Sequence, residues 1–208
     1  MKIAVVADED LKEELMAQGL SPDAEVKWLK EINPEQDIEA YIDLSVTHNA
    51  KRIEELKKLS PALVIINSVT ATLSELPQNF VRINGWPTFL KRPIAEVACI
   101  NEENKETTEK VFACFNKTIE WVTDIPGFIS ARVVSMIINE AYFTLQDEVS
   151  SKEEIDIAMK LGTNYPYGPF EWSKKIGLIK VNELLSKLAE TDSRYEPAAL
   201  LKKEAFYK

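Results

Sequence analysis

The sequence predicts an α/β layer followed by an all-helical segment. Two observations carry this expectation. From Lys2 to Val122, short apolar runs alternate with amphipathic stretches of helical period. After Pro126 the short runs stop and only helical spacing remains. Strand–helix alternation of the first kind points to a doubly wound sheet with right-handed crossovers. The boundary is expected near Thr123, giving segments 1–123 and 124–208.

Each element has a local reason. Lys2 to Val6 is a short apolar run of the type buried in a parallel sheet. Leu11 to Met16 is a short helix stopping near Gly19. Ala24 to Leu29 and Ile38 to Leu44 read as strands, the latter with Asp43 at its end. Asn49 to Leu59 is a charged amphipathic helix that puts Ile53 and Leu56 on one face and ends before Pro61. Leu63 to Ile66, Phe80 to Ile83 and Ile94 to Ile100 are further strands. Glu106 to Phe115 is a helix, and Thr118 to Val122 closes the sheet.

In the second segment, Arg132 to Val149 is apolar on more than one face. Val133, Met136, Ile137, Ala141 and Leu145 form one stripe, while Val134, Ile138 and Phe143 lie elsewhere. Such a helix must be covered on several sides. A segment of roughly 80 residues has little interior to offer, so part of this surface is expected to face a second subunit. Ser151-Lys152-Glu153-Glu154 has the form of a capping box, and Gly162 suits the αL stop of the helix it opens. Asn182 to Leu188 and Ala198 to Ala205 are two more helices.

Composition narrows the function. The chain has 208 residues, 25 basic and 34 acidic, for a net charge of −9. With no basic run, nucleic-acid and anionic-membrane binding are not expected. An acidic surface does little to attract a polyanion. Cys99 and Cys114 lack metal or redox spacing and sit in apolar company, so they read as reduced, packed thiols. No metal site is expected. No apolar stretch approaches the ~20 residues of a membrane helix. The strand-like opening does not read as a signal peptide, and a cytoplasmic location is expected.

Four ordered motifs occupy the second segment: Asp124-Ile125-Pro126-Gly127-Phe128-Ile129-Ser130-Ala131-Arg132, Ile138-Asn139-Glu140-Ala141, Glu154-Ile155-Asp156-Ile157-Ala158-Met159, and Tyr165-Pro166-Tyr167-Gly168-Pro169-Phe170-Glu171-Trp172. The series resembles the C-terminal helical domain of the 3-hydroxyacyl-CoA dehydrogenase family. The resemblance covers nearly all of the second segment and, more weakly, the first. It implies a Rossmann-like NAD-binding-type domain followed by a helical domain of the 6-phosphogluconate dehydrogenase C-terminal type. It also implies pairing of helical domains. The segment before the helix at Asn49 is too short for the helical excursion that the resemblance associates with CoA binding.

The resemblance further implies hydride transfer from a 3-hydroxyacyl-CoA to NAD, with a histidine taking the hydroxyl proton and a glutamate orienting it. In this chain Asn84 holds the histidine position and Glu96 the glutamate position, and the family spacing of 12 residues is kept. An amide cannot accept that proton. The sole histidine, His48, belongs to a different helix and reads as a surface or capping residue. The glycine slots after the first strand hold Ala7, Glu9 and Lys12, with Asp8 and Asp10 beside them. Glycines there let the backbone approach a diphosphate; acids there suit the helix dipole instead. Lys30, next to Glu31, stands where an acid would grip the ribose. Ser68-Val69-Thr70-Ala71-Thr72-Leu73 and Ala131 replace two further substrate-contacting positions. No cofactor-binding residues are therefore expected and no cofactor, NAD being the family's. Arg132 is expected to pair with a nearby carboxylate, and the aromatic cluster from Tyr165 to Trp172 to set the angle between helices.

Three functions follow from this reading. One is a dehydrogenase-like protein without hydride transfer, acting as a homodimer or as partner of a paralogous dehydrogenase through the helical domain. Another is a residually active NAD-dependent oxidoreductase acting on a 3-hydroxyacyl-CoA or another 3-hydroxy acid derivative, using Glu96 or a base that the motifs do not reveal. The last is a module that binds an acyl-CoA or other small ligand.

Overall fold

The computed structural model describes residues 1–45 and 50–206. His48 and Asn49, named above, lie outside them. The chain forms two compact units, Met1–Phe128 and Ile129–Lys208. The division falls a few residues past Thr123 because the connecting segment is tied to the first unit. Asp124 accepts from Leu73 N at 2.8 Å and pairs with Arg82, and Gly127 N donates to Val69 O at 2.8 Å.

The first unit is a single sheet of seven strands in the order β2-β1-β3-β4-β5-β6-β7. The strands are β1 (Lys2–Val6), β2 (Glu25–Leu29), β3 (Ala40–Asp43), β4 (Leu63–Asn67), β5 (Val81–Ile83), β6 (Ile94–Cys99) and β7 (Thr118–Trp121). β1 to β5 are mutually parallel, and β6 pairs antiparallel with β5 and parallel with β7. Helices α1 (Glu9–Met16), α2 (Ala50–Lys57) and α3 (Glu103–Cys114) complete the unit. Side chains alternate across the pleat with period two. Ile3 and Val5 join Leu11, Leu15, Val111 and Phe112 on one face, while Ala4 and Val6 join Leu56, Tyr41 and Phe80 on the other. The expected doubly wound core is therefore present, as a mixed sheet. α3 begins three residues before the expected Glu106, since Asn101 Oδ1 accepts from Glu103 N at 3.0 Å and starts the turn early.

The second unit contains α4 (Ser130–Gln146), α5 (Lys152–Thr163), α6 (Pro169–Ile176), α7 (Leu178–Ala189), a 3-10 turn (Ser193–Tyr195) and α8 (Ala199–Phe206). α4 packs against α6, α7 and α8. The capping box is present: Ser151 Oγ accepts from Glu154 N, and Glu154 accepts from Ser151 N at 3.2 Å. The stop is not Gly162. That glycine lies inside α5, and Asn164 takes the αL position at φ 56°. Asparagine tolerates αL because its amide hydrogen-bonds locally. The segment read as a turn and aromatic anchor also contains a helix, α6, which begins on Pro169, as the fixed φ of proline favours. α7 starts four residues before the expected Asn182, directly after Gly177 at φ 95°.

The motifs singled out in the sequence of this unit do structural work. Asn139, buried in α4, donates to Glu196 O at 3.0 Å and accepts from Ala198 N at 2.8 Å, fastening the approach to α8. Asp156 in α5 accepts from Phe170 N at 2.8 Å and Glu171 N at 3.2 Å, holding the N-terminus of α6. Gly168 is glycine because a Cβ there would stand 2.3 Å from Asp156 Oδ1. Tyr165 and Tyr167 pack on Trp172 with ring centroids 5.4 and 6.1 Å away. Arg132 differs from expectation. It lies over the Tyr195 ring at 5.0 Å, and its buried Nε has no hydrogen-bond partner. The aromatic face supplies the attraction that a carboxylate was expected to give.

Candidate functional site

In doubly wound sheets, ligands bind outside the carboxyl ends of the strands. In the first unit that edge gathers Ala7 and Asp8 after β1, Lys30 after β2, Asp43 ending β3, Ser68 after β4 and Asn84 after β5. β6 runs the other way, so its N-terminal half, with Glu96, reaches the same edge. The structure thus brings together Asn84 and Glu96, which the sequence singled out twelve residues apart.

Their geometry is closed. Asn84 Nδ2 donates to Glu96 Oε2 at 3.0 Å, and Asn84 Oδ1 accepts from Trp86 N at 3.4 Å. Arg92 reaches Glu96 Oε1 at 3.3 Å. Asn84 is 3% exposed and Glu96 4%. Glu96, the third residue of β6, is a buried, hydrogen-bonded carboxylate. Its charge is compensated by a guanidinium and an amide, as a buried carboxylate requires.

The loop that carries Asn84 is fastened on several sides. Gly85 N donates to Asn67 Oδ1 at 3.0 Å, and Asn67 Nδ2 donates to Gly85 O and Leu44 O. A Cβ on Gly85 would fall 2.7 Å from Asn67 Cγ, which accounts for the glycine. Glu14 of α1 accepts from Thr88 N through both oxygens, at 2.7 and 2.9 Å. Thr88 is held at φ 80°, a strained position for a β-branched residue, and its buried hydroxyl has no partner. Lys117 Nζ donates to Leu90 O and Arg92 O at 2.7 and 2.8 Å. Burial pulls its ammonium down to a pKa of about 8.

Sequence reasoning missed a second cluster, around Arg82. This side chain is fully buried on β5. Its Nε donates to Ser68 O at 3.0 Å, its Nη2 to Val69 O at 3.3 Å, and its Nη1 meets Asp124. Phe128 lies 4.8 Å from the guanidinium. Burial lowers the arginine's pKa, and the bond to Asp124 opposes this. The signal was available: a lone charge between Val81 and Ile83 in an apolar strand needs a buried partner. The cluster pins the loop of Ser68, Val69 and Ala71. Ser68 Oγ is used on Ala71 O at 3.0 Å, and Ala131 in the second unit is buried and apolar.

The turn after β1 does not fit a dinucleotide. A diphosphate needs free N–H groups at the helix N-terminus. Here the Asp8 carboxylate already accepts from Leu11 N at 2.8 Å. Glu9 and Asp10 add two acids to the same turn, and Lys12 is engaged by Glu9 at 3.2 Å. Lys30 and Glu31 are both exposed at the end of β2. Asp43 is taken by Arg52 at 2.7 Å.

Among the described residues no group of three or more His, Cys, Asp or Glu could hold a metal ion, and no helix is long and apolar enough to cross a membrane. Cys99 and Cys114 are unpaired and half-buried, and burial raises both thiols.

Comparison with known proteins gives a consistent picture. Residues 127–206 match the family model described as 3-hydroxyacyl-CoA dehydrogenase, C-terminal domain. The 3-hydroxyadipyl-CoA dehydrogenase of Escherichia coli is 44% identical over 91 residues, which cover 43% of this chain and 19% of that protein. The 3-hydroxybutyryl-CoA dehydrogenase of Bradyrhizobium diazoefficiens is 28% identical over 216 residues, covering 93% of this chain and 74% of that one. The chain thus spans about a fifth of the first relative and three quarters of the second. The solved (S)-3-hydroxybutyryl-CoA dehydrogenase of Ralstonia eutropha superposes with a TM-score of 0.77 at 17% identity, over 97% of this chain and 92% of that one. At that identity the likeness concerns the fold.

Proposed function

The chain belongs to the 3-hydroxyacyl-CoA dehydrogenase family, and from that premise we propose that it carries the family architecture without NAD-dependent hydride transfer, serving as a dimeric or partner subunit in acyl-CoA metabolism. One observation carries the reading. The residue in the proton acceptor's position, Asn84, is an amide whose two polar atoms are consumed by Glu96 and Trp86 N. No atom there can accept the proton of a 3-hydroxyl group. Glu96 is no substitute, being buried and already bonded to Asn84 and Arg92. The acid-rich turn after β1 supports the same conclusion, since the N–H of Leu11 in its first turn is already spent on the Asp8 carboxylate.

Two measurements test this. The first is oxidation of NADH with acetoacetyl-CoA, followed by absorbance. The second is the thermal shift of the chain with NAD, NADH or acetoacetyl-CoA. A ligand at a hundred times its dissociation constant stabilises the folded state by about 2.7 kcal/mol. The expected result is no turnover and no shift with either nucleotide. Turnover that disappears in Glu96→Gln would establish the residually active reading instead. A shift with acetoacetyl-CoA alone would favour a ligand-binding module.

A further inference from the structure

The second unit contains a concavity of about 500 Å³ bounded by residues of α4, α5, α6 and α8. Ligand pockets run from roughly 300 to 1,000 Å³. One side of it is apolar, with Phe170 and Leu178 in the lining. The Phe170 ring is fixed edge-on against the Tyr142 ring, centroids 5.0 Å apart. Gly177 keeps this side open: its φ of 95° suits glycine, and a Cβ built there would meet nothing within 4 Å.

The other side is charged. Lys152, Lys174 and Glu204 line it, which sets two ammonium groups against one carboxylate among the described residues, in a chain of net charge −9. The carboxylate is nearly used up. Lys152 Nζ donates to Glu204 Oε1 at 2.8 Å and Oε2 at 2.6 Å, and the Tyr142 hydroxyl donates to Oε2 at 2.9 Å. Those bonds fill three of its about four acceptor sites. Burial, and then the bond to Glu204, raises the pKa of Tyr142, so its hydroxyl stays a donor. An ammonium carries three donors. Lys152 directs two bonds at Glu204, and Lys174 is exposed. The hydrogen-bonding capacity left over is therefore chiefly that of donors. The Lys152–Glu204–Tyr142 cluster ties α8 to α4 and α5, which accounts for those three residues. It does not account for Lys174 or for the open space beside Gly177 and Leu178. A cation there would meet like charge, and a bare inorganic anion would leave Phe170 and Leu178 uncovered.

We propose that this concavity binds a small organic monocarboxylate with a short apolar body, the carboxylate between Lys152 and Lys174 and the body against Phe170 and Leu178. The inference goes beyond the partner-subunit reading and is independent of whether the chain oxidises NADH.

The test is isothermal titration calorimetry on the full chain. The probe is hydrocinnamate, with hydrocinnamamide as its neutral analogue and acetate as the charge without the body. Hydrocinnamate should have a dissociation constant at least tenfold below those of the other two. Lys174→Glu should weaken hydrocinnamate at least tenfold and the amide less than threefold. Lys174 is exposed, so folding, checked by circular dichroism, should be kept. Lys174→Gln adds no charge and should weaken hydrocinnamate several-fold, which decides the matter if the first variant fails to fold. Lys30→Glu makes the same change in net charge on an exposed residue of the first unit, and should leave the dissociation constant within twofold. Equal losses in Lys174→Glu and Lys30→Glu would mean attraction to overall charge alone, and overturn the proposal. A loss confined to Lys30→Glu overturns it by placing the carboxylate in the first unit. Equal binding of acid and amide, hydrocinnamate no tighter than acetate, or no binding of hydrocinnamate also overturns it. Turnover of NADH would sink the non-catalytic reading and leave the titration result standing.

Discussion

Gly168→Ala is the sharpest perturbation of the helical unit. The added methyl would lie 2.3 Å from Asp156 Oδ1, 2.4 Å from Cγ and 2.5 Å from Cβ. Rotating the carboxylate cannot relieve a contact with Cβ, so α5 and the start of α6 must separate. The bonds from Phe170 N and Glu171 N to Asp156 are then lost. Hydrogen bonds to a charged group contribute roughly 1.5–3 kcal/mol each. Allowing for water reaching the freed groups, the loss is about 3 kcal/mol. Asp156→Ala removes the same two bonds and should also cost about 3 kcal/mol. The backbone at Gly168, φ −74° and ψ 165°, suits alanine. Once Asp156 is alanine the clash is gone, and Gly168→Ala should then change stability by roughly 0.5 kcal/mol or less in either direction. The double variant should therefore be about as stable as either single one, a coupling of about 3 kcal/mol in a double-mutant cycle. The assay is urea unfolding of the full chain by circular dichroism at the helical band. With a slope of about 2 kcal/mol per M, each single variant moves the midpoint of the helical transition by roughly 1.5 M. A double variant that loses the sum of both singles would refute the reasoning.

Three further outcomes are expected. Arg82→Met leaves Asp124 without its counter-ion, held only by Leu73 N, so it should cost about 3–5 kcal/mol, and Arg82→Met with Asp124→Asn should recover a large part of this in thermal or urea unfolding. For Lys117, the folded state gives up its proton near pH 8, below the unfolded value of about 10.4. The unfolded chain then binds more protons across that window, so stability of the first unit should rise with pH between the two values, and Lys117→Met should flatten the slope. Asn84→His restores an imidazole beside Glu96, but not a seat for the nucleotide. NADH oxidation with acetoacetyl-CoA should stay at background, and clear turnover would show that the turn after β1 admits the coenzyme after all.

Much of this was legible in the sequence because it rests on local rules. Short apolar runs marked the seven strands seen among the described residues, and the structure then places Ile3 and Val5 on one face and Ala4 and Val6 on the other. Ser151 and Glu154 announced the start of α5 through contacts only three residues apart. The pairing of position 84 with position 96 was legible for a different reason: the resemblance drawn from the sequence sets the two positions twelve residues apart. The end of α5 was misread because both Gly162 and Asn164 can stop a helix, and local propensity does not decide between them. α6 was hidden inside a Pro- and aromatic-rich stretch that reads as a turn.

The sequence by itself determined the layer order, the change to helices after Pro126, and the presence of an amide at position 84, where the family resemblance leads one to expect an imidazole. Those depend on side-chain identity and on spacing along the chain. Only the tertiary structure decided that β6 runs against β5, that Arg82 reaches Asp124 forty-two residues away, that Glu14 grips Thr88, and that Asn84 spends both polar atoms inside the protein. Such pairings are set by which buried charges and amides find partners once water has been excluded. That selection is made between residues distant in the chain, so no local pattern records it.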